Sequence, residues 1–233
     1  MAHRIGVIIP AAGGGKRLGG VVKPLIKLHG KPIITRVLEI FSRLKDVSLI
    51  CLAVPAEAMS EFEEVAKTSL SGKAIQVVEG GTIRALSVKN AYQKLETLLS
   101  EDDLVCIHDA ARPLLAEEDL GRVIDAAWEH DAAFLAARVK DTLKLVDDSG
   151  NSVSTVDRSN LFAAQTPQVM KSGLLKQAYA TFSDYSSITD EIMLMERIGV
   201  KAFVVEPKHL NLKLTTREDL ELLMKLNLVD DVF

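Results

Sequence analysis

Short, continuous apolar runs alternate along this chain with stretches in which apolar residues return every three or four positions. The continuous runs fall at residues 4–9, 47–54, 74–78, 104–107, 133–137 and 201–205, and many of their residues are β-branched. Such runs predict strands buried on both faces. Between them, Leu120, Val123, Ile124 and Ala127 keep helical spacing, Leu86, Asn90-Ala91 and Leu95 keep it less cleanly, and a further helix is expected over about 33–44. Alternating β and α elements of this size imply an α/β fold, a mostly parallel sheet covered by helices.

The stretch 139–168 breaks the alternation. It has no helical period, and two alternating runs flank Asp147-Asp148-Ser149-Gly150-Asn151-Ser152, the composition of a hairpin turn. A lone hairpin is marginal in water, so this arm is expected to pack on the parent sheet or on another subunit. No linker or repeat interrupts the chain, which reads as one domain over 1–233 with an arm at about 139–168. Thr189-Asp190-Glu191 looks like a helix start. So does Thr215-Thr216-Arg217-Glu218-Asp219, a hydroxyl residue followed three positions later by an acid, with Leu220, Leu223 and Met224 expected on the buried face.

Composition narrows the function. Of 233 residues, 48% are hydrophobic and 26% charged, enough for an ordinary globular core. Aromatics are only 5% and the net charge is −4, which argues against stacking on single strands and against a broad nucleic-acid or anionic-membrane surface. Cys51 and Cys106 sit in strand-like runs and are expected to be buried free thiols in a reducing compartment. No run is long enough to span a membrane, and an N-terminus leading straight into a strand suggests no targeting peptide. The expected location is the cytoplasm.

The candidate chemistry lies in loops that follow strands. After the first run comes Pro10-Ala11-Ala12-Gly13-Gly14-Gly15-Lys16-Arg17-Leu18-Gly19-Gly20, then Lys23-Pro24. Glycines let backbone N–H groups approach a ligand, and cations beside them suit a polyphosphate. The loop is not a P-loop, since no Gly stands five residues before Gly15-Lys16 and no Ser or Thr follows. It is a poor dinucleotide fingerprint too, because Leu18 stands where Gly or Ala is wanted. Glu79-Gly80-Gly81-Thr82-Ile83-Arg84-Ala85-Leu86-Ser87 also follows a strand and opens a helix. His108-Asp109-Ala110-Ala111-Arg112-Pro113 follows another, placing an acid where open α/β sheets bind ligands and where a carboxylate can hold Mg²⁺ beside phosphates. His108 reads as structural. Asn211-Leu212-Lys213-Leu214-Thr215 reads as a short strand with Asn211 and Lys213 on one face. Asp141-Thr142, Asp157-Arg158 and Gln165-Thr166-Pro167-Gln168 surround the arm.

In this order and spacing, these stretches resemble the 2-C-methyl-D-erythritol 4-phosphate cytidylyltransferases of the non-mevalonate isoprenoid pathway, over about Arg4 to Leu223. The resemblance implies a Rossmann-like nucleotidyltransferase fold with a β-arm exchanged across a homodimer. It also implies the transfer of a cytidylyl group from CTP to methylerythritol phosphate, with release of pyrophosphate. It places Ala11, Ala12, Gly13, Gly15, Gly80, Gly81, Ser87 and Ala110 on CTP, and Arg17 and Lys23 on its phosphates. Asp109, Arg112, Thr142, Arg158 and Thr166 fall to the second substrate, with Arg158 reaching from the partner's arm. Two positions depart from the family pattern. Thr82 stands where an acid near the ribose is usual, and Lys23 precedes a proline instead of following one.

The chemistry itself requires no base. A phosphate oxygen is already deprotonated at neutral pH, so catalysis reduces to positioning and charge neutralisation. Arg17, Lys23, Arg158 and Lys213 are the expected catalytic cations, and Mg²⁺ is expected on Asp109. The alternatives are a ribitol 5-phosphate cytidylyltransferase and a nucleotide-binding, non-catalytic dimer subunit.

Overall fold

The computed structural model describes residues 4–13, 22–28, 30–68 and 73–225. In chain order, β1 (Ile5–Pro10), β2 (Lys27–Leu28), β3 (Lys31–Pro32), α1 (Ile33–Ser42), β4 (Val47–Val54), α2 (Met59–Thr68), β5 (Ala74–Glu79), α3 (Arg84–Leu95) and β6 (Leu104–Ile107) make the first half. Then follow α4 (Glu117–His130), β7 (Ala132–Arg138), β8 (Leu143–Val146), β9 (Ser152–Val156), β10 (Phe162–Lys171), α5 (Ser172–Thr181), α6 (Glu191–Arg197), β11 (Phe203–Val205) and α7 (Arg217–Lys225).

The main sheet has seven strands in the order β11-β7-β10-β6-β1-β4-β5. Every pairing is parallel except those of β10, which runs antiparallel to both β6 and β7. Strand alternation sorts the core into two faces. Val7, Ile9, Ile50, Leu52 and Cys106 pack with α1, Phe62 of α2, and α4. Ile8, Cys51, Ala53, Val105 and Ile107 pack with α3, α5 and α6. Both cysteines are buried and free, as expected, and burial pushes the Cys51 thiol up to about 12.

From β1 the chain moves outward to β4 and β5, then returns to place β6 on the other side of β1. This reversal makes the carboxyl ends of β1 and β6 the switch point, where open α/β sheets bind ligands.

Three expectations need correction. The arm is narrower than 139–168. Only β8 and β9 form the separate hairpin, because residues 162–171 rejoin the main sheet as β10. The hairpin turn is set by Asp147, whose Oδ1 accepts from the N–H groups of Ser149 at 3.0 Å and Asn151 at 2.8 Å. The stretch around Asn211 and Lys213 is not a strand; it is irregular chain joined to the loop after β6 by Leu214 N–H donating to the Ala111 carbonyl at 2.8 Å. Finally, Met224 is exposed, and Leu223 alone is the fully buried anchor of α7.

Candidate active site

Three loops and one late segment converge above the switch point on a cavity of about 390 Å³. Its walls include Ala11 and Gly13 after β1, Lys23 and Pro24, Arg84 and Ser87 of α3, Asp109 and Ala110 after β6, and Lys213 to Thr215. Gly15 and Arg17, both expected at the nucleotide, lie outside the described residues.

The first two loops are fitted to each other. Gly80 donates its N–H to the Val54 carbonyl at 2.8 Å. A Cβ at Gly80 would stand 2.3 Å from the Ala12 methyl, and one at Gly81 would stand 2.3 Å from Leu86 Cβ. Neither position has room for a side chain, whereas a Cβ at Gly13 would meet none of the described residues within 4 Å. Among the described residues nothing crowds the backbone at Gly13, as a surface for a flat ligand requires. Ser87 Oγ accepts from Gly81 N–H at 3.0 Å and closes the second loop on the start of α3.

Asp109 lies at the centre of the charged groups. Its Oδ1 accepts from Arg84 Nε at 3.0 Å and its Oδ2 from Lys213 Nζ at 2.7 Å. Burial alone would raise its pKa, but Arg84 and then Lys213 outweigh that and hold the carboxyl well below the usual carboxylate range. Arg84 in turn gives Nη1 to both oxygens of Glu191, at 3.1 and 2.8 Å. Glu191 is fully buried, and burial raises its pKa despite Arg84. Lys23, also in the cavity wall, donates Nζ to the Thr215 carbonyl at 2.9 Å, two residues beyond Lys213.

Beneath Asp109 the groups are structural. His108 Nε2 lies 3.0 Å from the Arg112 carbonyl, which can only accept, so this nitrogen carries the proton. Nδ1 must then accept from Thr166 Oγ1 at 3.1 Å, while the same hydroxyl accepts from Asp109 N–H at 3.0 Å. Burial pushes the His108 pKa down to about 4, leaving a neutral ring, in keeping with its structural reading. Arg112 is buried too, donating Nη1 to the Asn211 carbonyl at 2.8 Å. Asn211 Nδ2 donates to the Thr166 carbonyl at 2.8 Å, so these residues brace the site from below.

The other expected residues lie around or away from the cavity. Thr166 has its hydroxyl engaged on both sides, and Arg112 supports the loop instead of lining the cavity. Thr142 and Arg158 are exposed on the arm, and Arg158 Nη1 donates to the Lys140 carbonyl, away from this chain's cavity. Asp109 does not fit a metal. Both its oxygens accept from cations, and no cluster of three or more His, Cys, Asp or Glu exists among the described residues. Two residues belong to the site without having been assigned to it. Arg84 was visible only as part of the second glycine stretch, and Glu191 only as a helix start. Asp190 does cap α6, accepting from Met193 N–H at 2.9 Å, while Glu191 turns inward to Arg84.

A mostly parallel sheet with a glycine loop after its first strand, and two lysines lining a cavity at its switch point, defines the class: this is a nucleotidyltransferase. Residues 5–225 match the family model of IspD, 2-C-methyl-D-erythritol 4-phosphate cytidylyltransferase, and the chain belongs to that family. It is 38% identical to the enzyme of that name from Alkaliphilus metalliredigens over 224 residues, covering 94% of this chain and 91% of the relative. The Geobacter metallireducens enzyme is also 38% identical, over 92% of this chain and 94% of its own. Among solved structures, the 4-diphosphocytidyl-2C-methyl-D-erythritol synthase of Anaerococcus prevotii superposes with a TM-score of 0.81 at 27% identity, over 97% of this chain and 96% of that one. The Francisella tularensis cytidylyltransferase gives 0.74 at 33% identity, over 94% and 97%.

Proposed function

We propose that this enzyme transfers the cytidylyl group of CTP to 2-C-methyl-D-erythritol 4-phosphate, yielding CDP-methylerythritol and pyrophosphate for isoprenoid synthesis. The family membership supports the reaction. The observation that carries the residue roles is the Lys213–Asp109–Arg84 chain sharing one cavity with Lys23 and Gly13.

In this reading, a phosphate oxygen of the sugar phosphate attacks the α-phosphorus of CTP, and the bond to the β,γ-diphosphate breaks as pyrophosphate leaves. The nucleophile needs no base. The transition state gathers negative charge on the phosphoryl oxygens, and fixed cations stabilise it without reorganising. Lys213 and Lys23 supply that charge from the cavity wall. The backbone at Ala11 to Gly13, with Gly81, Ser87 and Ala110, receives base and ribose. Asp109, with both oxygens held, sets where Lys213 stands. Because Asp109 does not fit a metal, any Mg²⁺ would arrive on the nucleotide's own phosphates.

The arm completes the acceptor site in a second copy of the chain. Its support is the exposure of Leu145, Val146 and Val153 at 54%, 55% and 60%, an apolar surface the monomer leaves uncovered. Arg158 and Thr142 would then meet the sugar phosphate of the partner's site. The enzyme is assigned to the cytoplasm, consistent with its buried free thiols.

The test is pyrophosphate release across four nucleotides and several polyol phosphates. Turnover is expected with CTP and methylerythritol phosphate. Turnover with ribitol 5-phosphate in its place would overturn the acceptor assignment.

A further inference from the structure

Glu191 is a fully buried carboxylate one step behind the reacting groups. Burying a charge is costly, and a well-packed apolar residue often serves stability as well or better than a buried ion pair. Its place here is explained by what it does to Arg84. Both its oxygens hold Nη1, at 3.1 and 2.8 Å. A guanidinium is a rigid planar fork, so fixing Nη1 fixes the direction of Nε. Held this way, Arg84 gives Nε to Asp109 Oδ1, while Oδ2 accepts its hydrogen bond from Lys213. Without that hold the guanidinium is free to turn and bring Nη2, buried and without a hydrogen-bond partner among the described residues, onto Oδ2 in competition with Lys213. The clamp itself is anchored: Gln168 Oε1 of β10 accepts from the N–H groups of Glu191 at 3.0 Å and Ile192 at 3.3 Å.

We propose that Glu191 is a positioning residue, which by clamping Arg84 reserves one oxygen of Asp109 for Lys213 and so sets where that ammonium meets the reacting phosphates. The proposal rests on the assignment of Asp109 and Lys213 to the reacting site. Its effect belongs to the rate and not to nucleotide affinity, since Glu191 lines no part of the cavity.

The experiment is a double-mutant cycle on the full enzyme, with steady-state kinetics of the parent, Glu191→Gln, Arg84→Gln, the double variant and Lys213→Ala. Glu191→Gln is expected to lower kcat by about 10- to 100-fold, the scale of a misplaced catalytic group, with the KM for CTP within about twofold. In the Arg84→Gln background the same change is expected to add nothing, because its route of action is already gone. A kcat for Glu191→Gln within about twofold of parent, or losses that multiply across the cycle, would overturn the proposal. If Glu191→Gln does not fold, Glu191→Asp keeps the charge but shortens the reach. It is expected to lose about 3- to 10-fold in kcat only where Arg84 is present, and parental kcat would count against the clamp. Lys213→Ala at the parental rate would refute the site assignment itself, whatever Glu191 does.

Discussion

Lys213 concentrates the electrostatic argument in one side chain. It is half exposed, with its ammonium against a carboxylate held well below its usual range. Lys213→Ala is expected to lower kcat on the order of 10²–10³-fold, comparable to losing a preorganised oxyanion donor, as read by pyrophosphate release. His108 leaves a different mark. Its folded pKa lies near 4, against an unfolded value of 6.5, so between those two pH values the unfolded chain binds the extra proton. Stability is therefore lost as pH falls through that window and is unchanged by His108 outside it. That difference in pKa is worth on the order of a few kcal/mol. His108→Gln is expected to flatten the melting temperature between pH 6.5 and 4, and an unchanged slope would show that the ring titrates freely in the folded state. At this scale the sequence was informative about residue type and silent about pairing. Asp109 stood out because an acid at a strand end is chemically suggestive, and Lys213 because its stretch fits the cytidylyltransferase resemblance. The Arg84–Glu191 contact joins residues 107 positions apart, and no local pattern records it.

At the scale of elements, buried strands were the most legible, because continuous β-branched runs have few other uses. The run at 47–54 was expected with the bounds of β4, and the run at 104–107 with those of β6. β10 was missed because alternation across 139–168 suggested one arm, whereas its last residues switch to full burial against β6 and β7. The start of α7 was readable as well. Thr216 Oγ1 accepts from Asp219 N–H at 3.3 Å, while Asp219 Oδ2 accepts from Thr216 N–H at 2.8 Å, a reciprocal cap. Asp219→Ala should cost about 1 kcal/mol in urea unfolding, the usual worth of such a cap. The second glycine turn yields a sharper test. Gly80→Ala places a methyl 2.3 Å from Ala12, so the two loops must separate. Overpacking of this kind costs about 1–3 kcal/mol. Part of that strain falls on the nucleotide surface, and CTP binding is expected to weaken about tenfold in a titration. Unchanged affinity would show that the loops adjust independently.

For the whole molecule, the arm decides whether one chain carries a complete site. If Arg158 serves the partner's cavity, Arg158→Ala and Lys213→Ala chains are each inactive alone but restore one site when paired. Co-refolded in equal amounts, they should recover about a quarter of parental activity, since half the dimers are mixed and each has one intact site. No recovery would mean that the arm acts within its own chain. The sequence could not settle this, because an exposed Arg158 and an apolar hairpin describe equally well a solvated arm and an exchanged one.

The hydrogen bond from Lys23 to the Thr215 carbonyl spans 192 positions of chain. Synthesis proceeds from the N-terminus, so the glycine loop, the second turn and Asp109 all leave the ribosome before Lys213 and Thr215 do. A growing chain can fold most of its sheet and still lack the wall that carries the reacting ammonium. Activity therefore begins as a late event in the life of each molecule, and any chain cut short before residue 213 should be inert however well its sheet has formed.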